Sequence, residues 1–412
     1  MAGAWDGREA ENFGKVLARF EKKTRVEVTF AHATHNIAST LNSRLHQKCP
    51  PDVALLPQPS LLADLARRGQ IKPIEDFAGD RVRANYSRSW QQLGRPRGKL
   101  YGVWFKAANK SSIWYRPNAF RKAGVEPPRT WGQLKRVAAR LSAKGVAPFS
   151  VAGADGWTLT DWFENVYLRT AGPQNYQKLS KGQLPWTDVT VTRALTRLSE
   201  IFGRPDWLAG EPAQTDFEES VRQVFSDPPR AAMVYEGDFV ASAIANVSKA
   251  KVGEGAQWFE FPAIADSNPA LQGGREAHAR PLVAGGDVAV LFTDNKAAKK
   301  LIRFLATPEA AEPWASSGGF VSPNNNVDPH AYKDTTSQRA AAALANRPVA
   351  FDLSDQQPPA FGAIEGQGMR EILRDYLKNP MTSPADVDAT AQQLQEAVTA
   401  AKRCERAVRG PC

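Results

Sequence analysis
Gly102-Val103-Trp104-Phe105-Lys106-Ala107-Ala108-Asn109-Lys110-Ser111-Ser112-Ile113-Trp114-Tyr115 is the stretch from which the rest of the chain can be read. Aromatic, basic and hydroxyl residues alternate in it with apolar ones. One face can therefore pack a sheet while the other offers Trp104, Lys106 and Ser111 to a cleft. The stretch predicts a pair of strands and a crossing between two lobes. Downstream, residues 118–123 read as a short helix ended by Gly124 and by Pro127-Pro128. Thr130 then caps a helix that opens at Trp131.

Upstream, Phe13, Val16, Leu17 and Phe20 fall at helix spacing, Val26 to Phe30 alternates as a strand, and 37–46 reads as a helix. Asp52 to Leu56 is a buried strand stopped by Pro57, with the loop Pro57-Gln58-Pro59-Ser60 at its end. Such alternation argues a parallel sheet wrapped by helices, with ligands outside the carboxyl ends of the strands. Beyond Trp131 come a short strand at 147–151, a helix opened by the Gly156 turn, and helices at 189–205 and 221–226. The buried strand 231–235 runs into the turn Glu236-Gly237-Asp238. Residues 259–262 and 280–283 read as extended, Gly285-Gly286-Asp287 precedes the apolar run 288–292, residues 318–326 form a loop, and helices at 367–378 and 384–408 finish the chain.

With 412 residues, the chain exceeds the roughly 250–300 at which a single core stops growing, so two α/β lobes are expected. Hydrophobic residues make up 42% and charged residues 23%, which leaves apolar material for two cores. No apolar run approaches the roughly 18 residues of a membrane span. The net charge of +10 is scattered along helices rather than gathered in a tail, which argues a solvated surface and no nucleic-acid partner. Cys404 and Cys412 can close a small C-terminal loop in an oxidising compartment, while Cys49 has no evident partner; three free thiols are the alternative.

Neither metal nor catalytic chemistry stands out. His32 and His35 are three apart without Cys or acid partners, and His46, His278 and His330 are isolated. No P-loop, GxSxG, HExxH or GxGxxG occurs in its proper context. Glu236 and Asp238 are acids on one turn, better suited to accepting hydrogen bonds than to opposing each other across a glycosidic bond. Eleven tryptophans stand out, several beside polar residues: Trp5 with Asp6, Trp104 with Lys106, Trp157 with Asp161. Indole faces pack on the C–H face of a pyranose while carboxylates and amides take its hydroxyls, so a sugar suits the mixture.

An ordered set of motifs runs along nearly the whole chain: Trp5-Asp6-Gly7 with Glu9 and Phe13, Pro51-Asp52-Val53, Leu56-Pro57-Gln58-Pro59, and Tyr101-Gly102-Val103-Trp104 with Lys106. Gly156-Trp157 with Asp161-Trp162-Phe163-Glu164, Gly285-Gly286-Asp287, and Gly318-Gly319-Phe320 with Ser322-Pro323-Asn324 continue it. In these the sequence resembles the carbohydrate solute-binding proteins of ABC importers, the extracellular family 1 type related to maltose-binding protein, closest to the α-glucoside branch. The resemblance implies an α/β, two-lobe periplasmic-binding-protein fold of the type II kind, with a hinge and an interlobe ligand cleft. Lobe one would hold 1–110, lobe two mainly 111–285, with a return to lobe one and hinge over 286–330 and C-terminal helices of 331–412 across both lobes.

The implied function is a non-enzymatic, monomeric, extracytoplasmic receptor, a lipoprotein or periplasmic protein, that closes on a mono- or oligosaccharide and presents it to membrane permease subunits. No cofactor is implied. Asp6 and Gln58 would be polar contacts from lobe one, Trp104 and Lys106 would come from the crossing, and Trp157, Glu236, Asp238, Gly286 and Asp287 would line the wall of lobe two. The alternatives are a carbohydrate-active enzyme using Glu236 or Asp238 and a receptor for a glycerophosphodiester, which would want more cations than Lys106. Two departures stand against the family pattern. Only four residues precede Trp5, where a signal segment and a first strand are expected, and Ser60 replaces the usual Gly after Pro59.

Overall fold
A computed structural model describes residues 1–33, 37–264, 281–364, 366–379 and 383–407. The chain forms two compact units: unit 1 comprises 1–108, 285–346 and 405–412, and unit 2 comprises 109–284 and 347–404.

In unit 1, strands β1 (Ala2–Gly3), β2 (Ala31–His32) and β3 (Val53–Leu56) are parallel, with β1 between the other two. The expected parallel arrangement thus holds for these three, and residues 2 and 3 occupy a central place. The strand expected at 26–30 does not form. Exposure alternates there as the sequence suggests, but the stretch meets no ladder partner, and pairing begins only at Ala31. On the other side of β3 lies β9 (Leu282–Leu291), antiparallel to it from Leu56↔Val288 to Val53↔Leu291. β4 (Gly102–Asn109) also pairs with β9. The helix Gly7–Thr24 buries Phe13, Val16, Leu17 and Phe20, the four apolar positions read from the sequence. Its aromatics pack on those of later segments, Phe20 on Phe304 and Trp5 on Trp314.

In unit 2, four strands run in the order β6 (Ala147–Ser150), β7 (Ala231–Tyr235), β5 (Ser112–Tyr115), β8 (Gln257–Glu260). β6 and β7 are parallel; β5 is antiparallel to both its neighbours. The stretch 102–115 is therefore not a hairpin. β4 and β5 are consecutive in sequence but pair with different strands, because the chain changes unit after Ala108. A further ladder joins β10 (Val349–Phe351) to Leu282–Ala284 at the start of β9. β9 is thus one strand running through Gly285-Gly286, where the sequence suggested a break. A side chain at Gly286 would collide with the Lys106 carbonyl, 2.6 Å from the Cβ position.

Around this sheet pack the helices Trp131–Ser142, Trp157–Ser180 and Val189–Phe202. Thr130 does cap the first of them, in a reciprocal capping box with Gln133. Cys404 is disulfide-bonded and Cys49 is free and exposed; Cys412, His35 and His278 lie outside the described residues.

Candidate functional site
The Glu236-Gly237-Asp238 turn at the end of β7 is stitched to the turn that begins β5. Antiparallel pairing of Tyr235 with Ile113 delivers the two turns to each other. The Asn109 N–H donates to Asp238 Oδ2 at 3.0 Å, and the Asp238 N–H returns a bond to the Asn109 carbonyl at 3.1 Å. Trp114 Nε1 donates to the Gly237 carbonyl at 3.0 Å, and the Glu236 N–H to that of Ser112 at 3.2 Å. Asp238 therefore shapes the turn with one of its oxygens.

Trp157 opens its helix directly after Gly156, whose φ of 73° suits glycine and whose Cβ position lies 2.8 Å from the Cβ of Arg370. Asp155 Oδ2 accepts the Phe217 N–H at 2.8 Å. This places Phe217 5.4 Å from the Trp157 ring, with Phe239 6.0 Å from it. Trp157 itself is half-buried, an indole flanked by two tilted phenyl rings. Lys110 Nζ stands 5.8 Å from its centroid, within cation–π range.

Behind this wall is a buried set of acids. Lys110 Nζ donates to Asp161 at 3.0 Å and also to Asp352. Glu164 accepts the N–H groups of Leu353 and Ser354 at 2.7 and 2.9 Å and the Tyr176 hydroxyl at 3.1 Å. Burial pushes the Asp161 carboxyl up to about 7 although Lys110 opposes it. Asp352 is also penalised by burial, yet Lys110 and its hydrogen bonds hold it down at about 2. Asp161, Glu164 and Asp352 bring carboxylate oxygens within 4.8 Å of one another, a spacing at which a metal ion can sit. Here the Lys110 ammonium, bonded to two of the three, supplies the positive charge. Glu236 is 1% exposed, and neither of its oxygens makes a well-formed hydrogen bond, although the Gly237 N–H and the Asp161 carboxyl lie close enough to act on it. Burial, then the charge of Asp161, push its carboxyl well above the usual range. Both effects favour the protonated carboxyl, which keeps acceptor capacity.

Unit 1 gathers a second set. Trp5 Nε1 donates to Asp287 Oδ2 at 3.3 Å. Lys106 pairs with Glu9, and its ammonium stands 5.8 Å from the Trp5 ring and 5.4 Å from Trp314. Trp104, 2% exposed, packs on Trp90 at 5.4 Å. Asp6 is exposed at the start of the first helix, its carboxylate 4.0 Å from His32. Gln58 precedes the Pro59–Arg67 helix, and its buried Oε1 accepts no hydrogen bond.

The family model of the bacterial extracellular solute-binding proteins matches residues 5–312. The chain belongs to this family. The osmoprotective compounds-binding protein GgtB of Synechocystis is 32% identical over 372 residues, covering 88% of this chain and 85% of GgtB. The α-glucosides-binding periplasmic protein AglE of Rhizobium meliloti is 33% identical over 377 residues, 88% and 80% of the two chains. Among solved structures, the bacterial solute receptor AcbH, described as preferring β-D-galactopyranose, superposes with a TM-score of 0.83 at 21% identity, covering 97% of this chain and 98% of that one. UgpB of Mycobacterium tuberculosis, solved with glycerophosphocholine, gives 0.73 at 16% identity, with 98% of each chain covered. These last two likenesses establish the two-lobe solute-binding fold.

In this solute-binding protein, Trp157, Glu236 and Asp238 come together around the Asn109–Ser112 turn of unit 2. Trp104, Lys106, Gly286 and Asp287 come together in unit 1, Gly286 and Asp287 contrary to the expectation that they line the wall of lobe two. The reason is β9: its residues from Val288 onward pair with β3, so the two residues just before them are carried into unit 1. Sequence reasoning missed Lys110 and Asp352. Lys110 stands in the opening stretch, but its basic neighbour Lys106 drew the assignment, and Asp352 belongs to no motif. Asp161 and Glu164 appeared only as parts of a motif. No helix among the described residues is long and apolar enough to cross a membrane.

Proposed function
We propose that this chain is the sugar-binding receptor of an ABC importer, working outside the cytoplasm as a monomer that delivers a mono- or oligosaccharide of the α-glucoside kind to membrane permease subunits. The observation that carries the reading is the pairing of a half-buried indole, Trp157, with the buried carboxyl of Glu236, whose oxygens make no well-formed hydrogen bond and whose ionisation burial opposes. The indole offers a stacking face to a pyranose, and the carboxyl offers acceptors for its hydroxyls. What AglE and GgtB are named for, α-glucosides and osmoprotective compounds, supports the same ligand class. Unit 1 holds a second polar and aromatic set, Lys106 and Asp287 with Trp5 and Trp104, together with Asp6, Gln58 and Gly286, of the kind that suits a sugar.

Binding without turnover is the expected behaviour. Asp238 is engaged with the Asn109 backbone and shares a three-residue turn with Glu236, an arrangement poorly suited to opposed catalytic carboxyls. A glycerophosphodiester would need cations for its phosphate, whereas the Lys110 ammonium is already paired with two acids. Titration calorimetry against sucrose, trehalose, maltose and glycerophosphocholine tests the proposal. Saturable binding of at least one sugar, weakened in Glu236→Gln and Trp157→Ala, is expected. A well-folded protein that ignores every sugar, or that releases product from one, overturns it.

A further inference from the structure
The chain enters unit 2 at Asn109, leaves it after Ala284 and re-enters at Arg347. The unit 2 ends of these three crossings, of the four the chain makes, are tied to one another. The Lys110 N–H donates to the Val283 carbonyl at 2.9 Å, the Val283 N–H to Ser111 Oγ at 2.9 Å, and the Asp352 N–H to the Ala284 carbonyl at 2.8 Å. The Lys110 carbonyl accepts from Asn165 Nδ2 and from the Tyr235 hydroxyl, both at 2.8 Å. Its ammonium reaches Asp161 on the Trp157 helix and Asp352 just after the third crossing, and it faces the Trp157 ring. One residue thus touches the first crossing, the second, the third and the indole wall.

We propose that Lys110 is a positioning residue of this receptor: its ammonium locks the Trp157 helix to the unit 2 ends of the crossing segments, and ligand affinity at Trp157 depends on whether Asp161 is charged. The inference rests on the sugar-receptor reading and deepens it. Lys110 takes its place through two ion pairs, and its two partners respond differently to pH. Asp352 stays ionised from about pH 2 upward, while Asp161, buried and faced by Lys110, Glu164, Glu236, Asp352, Asp355 and Tyr235, titrates at about 7. Acidification from pH 8 to pH 6 protonates Asp161 and leaves Lys110 with one charged partner. The Trp157 helix then loses its charge-assisted tie to the crossings.

Calorimetry on the full chain, with whichever of sucrose, trehalose and maltose binds, reads this directly. The affinity of the wild type is expected to fall about threefold to tenfold between pH 8 and pH 6. Asp161→Asn should bind at the level of the wild type at pH 6 and be flat with pH. Lys110→Arg should restore most of the wild-type profile. Thermal stability should move the opposite way, rising on acidification, because a carboxyl whose pKa is raised by folding adds stability below that value; a merely structural role would move both readouts together. A pH-independent affinity in the wild type, or an Asp161→Asn profile that keeps the wild-type slope, overturns the inference while leaving the receptor reading intact. Absence of any sugar binding overturns the receptor reading first.

Discussion

Of the 53 Lys and Arg, 26 fall in unit 1 and 27 in unit 2, whereas the 43 Asp and Glu divide into 17 and 26. Unit 1 thus carries nearly all of the net charge of +10, and unit 2 is close to neutral. Their ion pairs differ in the opposite sense. Unit 1 pairs Arg19 with Glu312 and Lys23 with Glu309 at partly exposed positions. Unit 2 places Asp161, Glu164, Asp352 and Glu236 at 1% exposure or less around Lys110. Charge count and electrostatic consequence are therefore separate properties: the unit with little net charge holds the cluster of fully buried acids, and the highly charged one keeps most of its ions where water screens them, Lys106–Glu9 and Arg68–Asp64 being its more buried pairs.

The comparison predicts that one lysine in unit 2 matters more than any in unit 1. Lys110→Met leaves Asp161 and Asp352 buried without their cation and should cost about 3–5 kcal/mol in urea denaturation. Lys106→Met removes the partner of Glu9, whose side chain is 21% exposed and can turn to water, so a loss of about 1–2 kcal/mol is expected. Equal losses would erase the distinction between the units.

The same acids set the pH dependence. Asp161 is raised from 3.8 to about 7, so folding makes it hold its proton longer; the stability it contributes is full below about pH 4 and is lost as pH rises through 7. Asp352 is lowered from 3.8 to about 2; its contribution is present above about pH 4 and is lost as pH falls through 2. The two together put the stability maximum near pH 4, with a decline of about 3–4 kcal/mol toward pH 8. Calorimetric scans should show it, and Asp161→Asn should flatten the decline. A protein whose stability climbs steadily from pH 5 to pH 8 would contradict this assignment.

Exposure also separates Trp157 in unit 2 from Trp104 in unit 1. Trp157→Ala, at a half-buried ring, should weaken sugar binding about tenfold to a hundredfold with a stability loss of no more than about 2 kcal/mol. Trp104→Ala, at a ring that is 2% exposed, should cost about 3–5 kcal/mol of stability. Measuring both variants by calorimetry and denaturation sharpens the contrast, and the reverse ranking would assign the stacking face to unit 1.

Much of the fold was legible because the signals are local. The run Ala231-Ala-Met-Val-Tyr235 is a strand at the very residues read from its apolar character, and Thr130 caps the helix that opens at Trp131, as its hydroxyl predicts. What escaped depends on partners distant in sequence. Val26 to Phe30 has strand alternation without a ladder, and Gly285-Gly286 looks like a break until β3 and β4 are seen to hold β9 straight through it. The site divides in the same way. Trp157, Glu236 and Asp238 stand beside turns and could be found from one segment each. Lys110 and Asp352 are 242 residues apart, and nothing within either segment marks the other.

Unit 1's surface pairs give the smallest expected effect and the most direct check on its side of the comparison. Lys23 and Glu309 have side chains 58% and 34% exposed. Water already solvates both ions, and two long side chains lose rotamer freedom in meeting, so the pair should contribute less than about 1 kcal/mol. Lys23→Ala also lowers the excess positive charge of unit 1, which offsets part of even that loss. Its midpoint in urea should coincide with that of the wild type at 0.5 M salt and differ only slightly at low salt, since the Debye length shrinks to a few Å as ionic strength approaches about 1 M. A salt-insensitive loss as large as that of Lys110→Met would mean that unit 1, despite its exposed ions, depends on charge as strongly as unit 2 does.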